Sequence, residues 1–93
     1  MFNPSTRKEV SALLKYIESN APAIARRRKG SAYCAAVNAV CEKLRASFAE
    51  RAAGPGACRW REIGVYSVCG EIAEQFQVPI YDVVGDANPA LNK

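Results

Sequence analysis

The chain has 93 residues, 49% of them hydrophobic, which predicts one domain with a modest core. Its net charge of +4 is unevenly spread: residues 1–61 hold twelve Lys or Arg and four Glu, whereas residues 62–93 hold one Lys and five acids. The start of the chain is polar, and the longest uncharged run, residues 30–41, is too short to cross a bilayer. We therefore expect a cytoplasmic protein without a membrane segment, with a basic surface for an acidic partner and a separate acidic surface.

Four cysteines and the absence of histidine limit the chemistry of the chain. Cys34 and Cys41 are seven positions apart, which in a helix separates their Cα atoms by about 10–11 Å, beyond disulfide reach. Reduced core thiols are expected, although a bridge from either cysteine to Cys58 or Cys69 stays open in an oxidising compartment. Without His, CxxC pairs or nucleotide-binding and nucleophile motifs, we predict no metal, no cofactor and no enzymatic activity.

The first half of the chain predicts three helices. Thr6 and Glu9 have the spacing of a capping box, and an apolar stripe follows in a helix over residues 6–19, which Pro22 is expected to end. A short helix over residues 22–29 would place four cations at its carboxyl end and use Gly30 as a left-handed cap. The third helix, residues 32–53 after Ser31, has one apolar arc: Tyr33, Cys34, Val37, Val40, Cys41, Leu44 and Phe48.

After a loop at residues 54–56, the last third has a helical rhythm of apolar residues over 59–76, weakened by Gly64 and Gly70. Either glycine can mark a break or a close helix crossing, and a short strand at residues 64–68 is the alternative. Pro79 is expected to start a final helix that ends near Gly85, followed by a loose tail, residues 86–93. The predicted fold is all-α: a single-domain bundle of four to five helices over residues 1–93.

Residues 68–85 have the spacing of two short helices joined by a tight turn. Their packing positions are apolar or small: Ile72, Ala73, Phe76, Val78 and Val83. This pattern resembles the helix-turn-helix of bacterial DNA-binding regulators, which implies a helix-turn-helix-like C-terminal third. The chain departs from that motif at Gln77, where the turn usually has glycine, and at Asp86, where an apolar residue is expected.

The positions that would face DNA bases lack the side chains that read them: Pro79, Ile80, Tyr81, Val84 and Gly85. Among these, only the Tyr81 hydroxyl can hydrogen-bond a base, and Asp82 would repel phosphates. We therefore predict that Ile80, Tyr81 and Val84 form a small exposed apolar patch that binds a partner protein or a second copy of the chain.

Two basic clusters are further candidate sites. The first is four consecutive cations: Arg26, Arg27, Arg28 and Lys29. They can contact phosphates, dock on an acidic protein surface, or complement the dipole of a helix end. In the second cluster, Trp60 lies between Arg59 and Arg61, which suits nucleic-acid stacking, a protein hot spot, or a core tryptophan with exposed arginines.

Two functions follow from these features. The first is a small non-enzymatic regulator that modulates or inhibits a partner protein through the apolar patch, the basic run, or both. The partner would belong to a nucleic-acid-handling machine, by analogy with phage and plasmid inhibitors such as anti-CRISPR proteins, which are often of this size. The alternative is a helix-turn-helix-type DNA-binding transcriptional regulator that uses its basic residues for phosphate contacts.

Overall fold

The first helix begins as the sequence predicts and continues further. In the computed structural model, which describes residues 4–53, 60 and 64–85, helix α1 spans Arg7–Lys29. The capping box is confirmed: the Glu9 N–H donates to Thr6 Oγ1 (3.2 Å), and the Thr6 N–H donates to Glu9 Oε1 (3.2 Å). These bonds satisfy backbone donors that the first turn leaves without a helical acceptor.

The predicted helix end near Pro22 is wrong, because α1 runs through this proline without a break. Pro22 has no N–H, so the carbonyl of Glu18 loses its helical donor. Packing outweighs this loss: Ala21 and Ala25, on either side of the proline, are buried on the stripe that begins at Val10. The two predicted helices, residues 6–19 and 22–29, are therefore one, since burial of an apolar face stabilises a helix more than local propensity does.

Helix α2 spans Ser31–Ala53 and forms a hairpin with α1 through a single residue, Gly30. Gly30 has φ 93° and ψ −177°, and its N–H donates to the Arg26 carbonyl (3.0 Å). This conformation is one that essentially only glycine adopts, although it is not the left-handed helical cap that we predicted. The predicted apolar arc of α2 is confirmed: Tyr33 is half-buried, and the other six residues are buried.

Residues 65–75 are helical, so the alternative of a strand at residues 64–68 is wrong. Helix α3 spans Val65–Gln75 and begins after Gly64, whose φ of 80° interrupts the helix that we predicted over residues 59–76. Gly70 lies within α3, where an added Cβ would sit 3.5 Å from Ile80 Cδ1, an ordinary van der Waals contact. Gly64 therefore marks the break that the sequence left open, whereas Gly70 does not interrupt α3.

A tight turn joins α3 to the last helix, α4, which spans Ile80–Val84. The Val78 N–H donates to the Ala73 carbonyl (3.0 Å), and the Gln77 N–H donates to the Glu74 carbonyl (3.0 Å). This pair of bonds is a Schellman cap, whose penultimate position takes the left-handed conformation that glycine favours. Gln77 adopts it with φ 56°, so a residue other than glycine takes the left-handed position of this turn.

The four helices of the described residues pack as a bundle in which α3 lies against α2, and α4 lies against α1. One apolar cluster joins all four helices, and the five predicted packing positions of residues 72–83 are buried or, for Phe76, half-buried. No strand occurs among the described residues, so the all-α prediction is confirmed. The predicted loop at residues 54–56 and the tail at 86–93 lie outside the described residues.

Cys34, Cys41 and Cys69 are buried free thiols, whereas Cys58 lies outside the described part of the chain. Burial raises the pKa of Cys41 to about 11 and that of Cys69 to about 12. A thiol that stays protonated at neutral pH is a poor nucleophile, so these two side chains serve as core residues.

Candidate functional site

A groove opens at one end of the hairpin, where the carboxyl end of α1, the start of α2 and helix α4 meet. It encloses a cavity of about 100 Å³. Its floor is made of small buried side chains that include Ala21, Ala25 and Val83. Its walls include three aromatic, two aliphatic and two cationic side chains: Tyr16, Tyr33, Tyr81, Ile24, Val84, Arg28 and Lys29. We call this feature the groove.

The groove exists because of two local features of the backbone. Tyr16 and Arg28 lie on the same wall only because α1 continues through Pro22. Helix α4 reaches α1 because the turn at Gln77 reverses the chain after α3. The turn has a local sequence signal, whereas the continuity of α1 and the groove itself result from tertiary packing.

A polar cluster closes one end of the groove. The Tyr33 hydroxyl donates a hydrogen bond to Asp82 Oδ2, and Lys29 Nζ lies 3.8 Å from the same oxygen. Lys29 Nζ also lies 4.6 Å from the centre of the Tyr33 ring, within cation–π range. Burial, and then the Asp82 carboxylate, raise the pKa of Tyr33 to about 12, so the hydroxyl remains a donor at neutral pH.

Sequence reasoning missed this cluster. We assigned Tyr33 to the core arc and Asp82 to a helix that repels phosphates. The two residues are 49 positions apart, and no local pattern marks such a pair. Only the packing of α4 on α1 brings them together.

The structure places part of the predicted basic run at the groove. All four cations are exposed, and Arg28 and Lys29 line the groove, whereas Arg26 and Arg27 do not. Lys29 has Asp82 beside it, but no carboxylate of the described residues lies within 4.0 Å of Arg28. The groove therefore retains one cation without an acidic partner among the residues that the structure describes.

The predicted apolar patch is divided between two surfaces. Tyr81, whose side chain is 61% exposed, and Val84 line the groove. Ile80, 39% exposed, lies instead in a separate, more open hollow with Glu71 and Glu74. The three side chains therefore do not share one concavity, because Ile80 points toward Gly70 of α3.

The second predicted cluster is only partly described. Trp60 is 3% exposed and packs edge-to-face on Phe48, with ring centres 5.1 Å apart and planes at 77°. This placement agrees with a core tryptophan, and the buried ring offers no face for stacking on a base. Arg59 and Arg61 lie outside the described residues.

No known family model matches the chain, and no curated protein or solved structure is significantly similar to it. Within the part of the chain that the structure describes, no three or more His, Cys, Asp or Glu side chains form a group able to hold a metal ion. None of the described helices has both the length and the hydropathy that a membrane span requires.

Proposed function

We propose that this protein is a non-enzymatic cytoplasmic regulator that binds a partner protein in the groove and thereby modulates or inhibits it. The main support is that two surfaces predicted separately, the basic run and the residues of α4, adjoin there. Arg28 and Lys29 line the same concavity as Tyr81 and Val84, although more than 50 positions separate Arg28 from Tyr81. Groups of this kind, a cation and an exposed tyrosine beside an apolar floor, are typical of protein-binding hot spots.

The exposed tyrosine is the strongest single feature. Tyr81 is the most exposed of the large hydrophobic side chains in the described residues, at 61%. A partner that covered its ring would bury apolar area, while the hydroxyl could keep a hydrogen bond at the rim of the interface. A partner within a nucleic-acid-handling machine stays part of the proposal by class analogy alone.

The alternative function, a DNA-binding regulator, is favoured by the turn. Gln77 has a left-handed φ of 56° in the turn, at the position where the helix-turn-helix motif usually has glycine. However, the helix after the turn has only five residues, about 7.5 Å of helix, and Tyr81 and Val84 face the groove beside α1. A helix this short presents few positions to a major groove, so we rank protein binding first.

The deciding experiment is affinity purification from a bacterial lysate with nuclease treatment, using three matched variants. We expect Arg28→Glu and Tyr81→Ala to lose a protein that the unaltered chain captures. Lys43→Glu, which makes the same charge change at an exposed position of α2 outside the groove, should retain it. Capture that resists nuclease and is equal in all variants would contradict the assignment of the groove.

A mobility-shift titration across salt concentrations separates the two functions. Phosphate contacts alone weaken steeply as salt rises, whereas base-specific binding survives at moderate salt. Sequence-specific complexes at moderate salt would support the DNA-binding alternative. Loss of all DNA binding near physiological salt would support the protein-binding function.

A further inference from the structure

The Asp82 carboxylate shows what kind of group one end of the groove accepts. Two donors from different helices, the Tyr33 hydroxyl of α2 and Lys29 Nζ of α1, converge on Asp82 Oδ2. Both belong to the hairpin, whereas Asp82 belongs to α4. The hairpin thus forms a small carboxylate-binding corner, and the chain fills that corner with its own side chain.

This internal contact is open to exchange. The Lys29 side chain is 57% exposed and that of Asp82 is 26% exposed, so solvent and a partner can reach the pair. Exposed ion pairs contribute little to stability, because water competes for both charges. A second carboxylate that arrives with additional contacts can therefore replace Asp82 at Lys29.

The rest of the groove defines what those additional contacts are. The cavity beside the corner measures about 100 Å³ and is flanked by Tyr16, Ile24 and Val84. A closed apolar cavity of about 150 Å³ holds benzene, so an open one of this size suits part of an aromatic ring. Arg28 also lines the groove and has no described carboxylate within 4.0 Å. Its guanidinium therefore suits a second acidic group.

We propose that Asp82 holds the place of a partner's carboxylate, and that the groove recognises a partner-protein segment in which an aromatic residue lies beside acidic ones. This proposal rests on the proposed function and specifies its partner. Charge complementarity is the reason for choosing an acidic segment, since Arg26 and Arg27 add exposed positive charge beside the groove.

The test uses two blocked pentapeptides as probes, Gly-Glu-Phe-Glu-Gly and its uncharged control Gly-Gln-Phe-Gln-Gly, titrated into the full chain and followed by amide chemical shifts. We expect the acidic peptide to shift residues around the groove at lower concentrations than the control peptide does. Asp82→Asn should bind the acidic peptide about three- to fivefold more tightly, the size of an exposed ion pair, and should bind the control peptide as before.

Asn at position 82 retains an acceptor for the Tyr33 hydroxyl, so this variant is expected to fold, and a melting curve checks it. A second variant keeps the proposal testable in any case: Lys29→Met in the unaltered background should weaken binding of the acidic peptide. The proposal is overturned if neither peptide binds, if Asp82→Asn binds both peptides more tightly by the same factor, or if Lys29→Met changes nothing.

A second copy of the chain is the competing occupant, because Glu71 and Glu74 lie beside the exposed Ile80 in another hollow. Sedimentation equilibrium decides this: a salt-sensitive oligomer that Arg28→Glu abolishes would overturn the proposal. The outcomes also distinguish a failure of this proposal from a failure of the proposed function. If Arg28→Glu loses the captured protein while Asp82→Asn leaves peptide selectivity unchanged, the docking site stands and the role of Asp82 fails. If Asp82→Asn tightens binding of the acidic peptide alone while Arg28→Glu still captures the protein, the role of Asp82 stands and the docking site fails.

Discussion

In the α1–α2 hairpin, two helices of 23 residues each bury aliphatic side chains along their length, whereas α4 has five residues and buries only Val83. The hairpin is stabilised mainly by this apolar packing. Helix α3 is likewise held by apolar burial, whereas α4 depends more on backbone geometry at Gln77 and on the polar contact between Tyr33 and Asp82.

This difference indicates where stability and binding are located. Burial of apolar area is the dominant stabilising term, so the hairpin should unfold only with the whole domain. Helix α4, with few buried groups, is expected to open locally at a lower free energy. The groove lies where the two regions meet, so one wall is rigid and the other is adjustable.

The largest effect is expected from a cavity in the hairpin. Leu13 is completely buried, whereas its neighbour Leu14 is only half-buried. Leu13→Ala should lower the free energy of unfolding by about 2–5 kcal/mol, because it removes buried methyl groups and leaves a cavity. Chemical denaturation measures the loss, with Leu14→Ala as the matched control. Equal losses in the two variants would show that the hairpin core is not packed as described.

Pro22 and Pro79 should respond to substitution in opposite directions. Pro22→Ala restores a helical N–H within α1 and is expected to raise the free energy of unfolding by about 1–2 kcal/mol, after allowance for a more flexible unfolded chain. Pro79 lies just before α4, and its φ of −62° is one that proline favours. Pro79→Ala should therefore lower the free energy of unfolding by about 0.4–1 kcal/mol, because the unfolded chain gains freedom. Thermal melting of both variants checks the signs, and a destabilised Pro22→Ala would mean that α1 is interrupted at that position.

A smaller gain is expected at the turn between α3 and α4. Gln77 has φ 56°, where a side chain is unfavourable, so Gln77→Gly should stabilise the protein by about 0.5–1 kcal/mol. Gln75 belongs to α3, and Gln75→Gly should lower the free energy of unfolding by about the same amount. Opposite signs at positions two residues apart would confirm the geometry of the turn, and equal losses would contradict it.

The smallest effect appears only at alkaline pH. Tyr33 retains its proton in the folded protein up to a pKa of about 12, compared with 10.0 as its ordinary value. The folded state therefore binds more protons than the unfolded state in this window, and the free energy of unfolding must fall as pH rises from 10 to 12. Tyr33→Phe should show a shallower fall in denaturation experiments across that window.

Three other groups act in the same direction and remain in both proteins. Cys41 and Cys69 have raised pKa values of about 11 and 12, so their contributions are lost as pH rises above the ordinary value of 9.0. Burial also raises the pKa of Tyr66 above its ordinary value of 10.0. The difference between the unaltered chain and Tyr33→Phe isolates the tyrosine. If the two alkaline curves coincide, the Tyr33–Asp82 contact does not tie α4 to the hairpin.

Features determined by residues near one another could be predicted from the sequence. The capping box of Thr6 and Glu9 needs three positions, and the arc of α2 needs only helical periodicity. The packing positions around Ala73 and Val78 follow from the spacing of two short helices. Each of these predictions is confirmed, because short-range geometry alone decides it.

The features that the sequence did not predict depend on contacts between distant segments. The local sequence around Pro22 predicts a helix end. Only the burial of α1 against α2 explains why the helix continues there. Ile80, Tyr81 and Val84 lie within five positions of the sequence, but Ile80 lies beside Gly70 in a different hollow from the other two. The groove and its cluster at Asp82 likewise exist only after α4 has packed on α1.

The single-residue connection at Gly30 also has a consequence for biosynthesis. Closing so short a link between two helices requires little chain entropy, and the pairing that follows involves only residues 7–53. A nascent polypeptide can therefore form this pairing as it leaves the ribosome. Asp82 is translated 49 codons after Tyr33, so the recognition surface is completed only after this pairing can form.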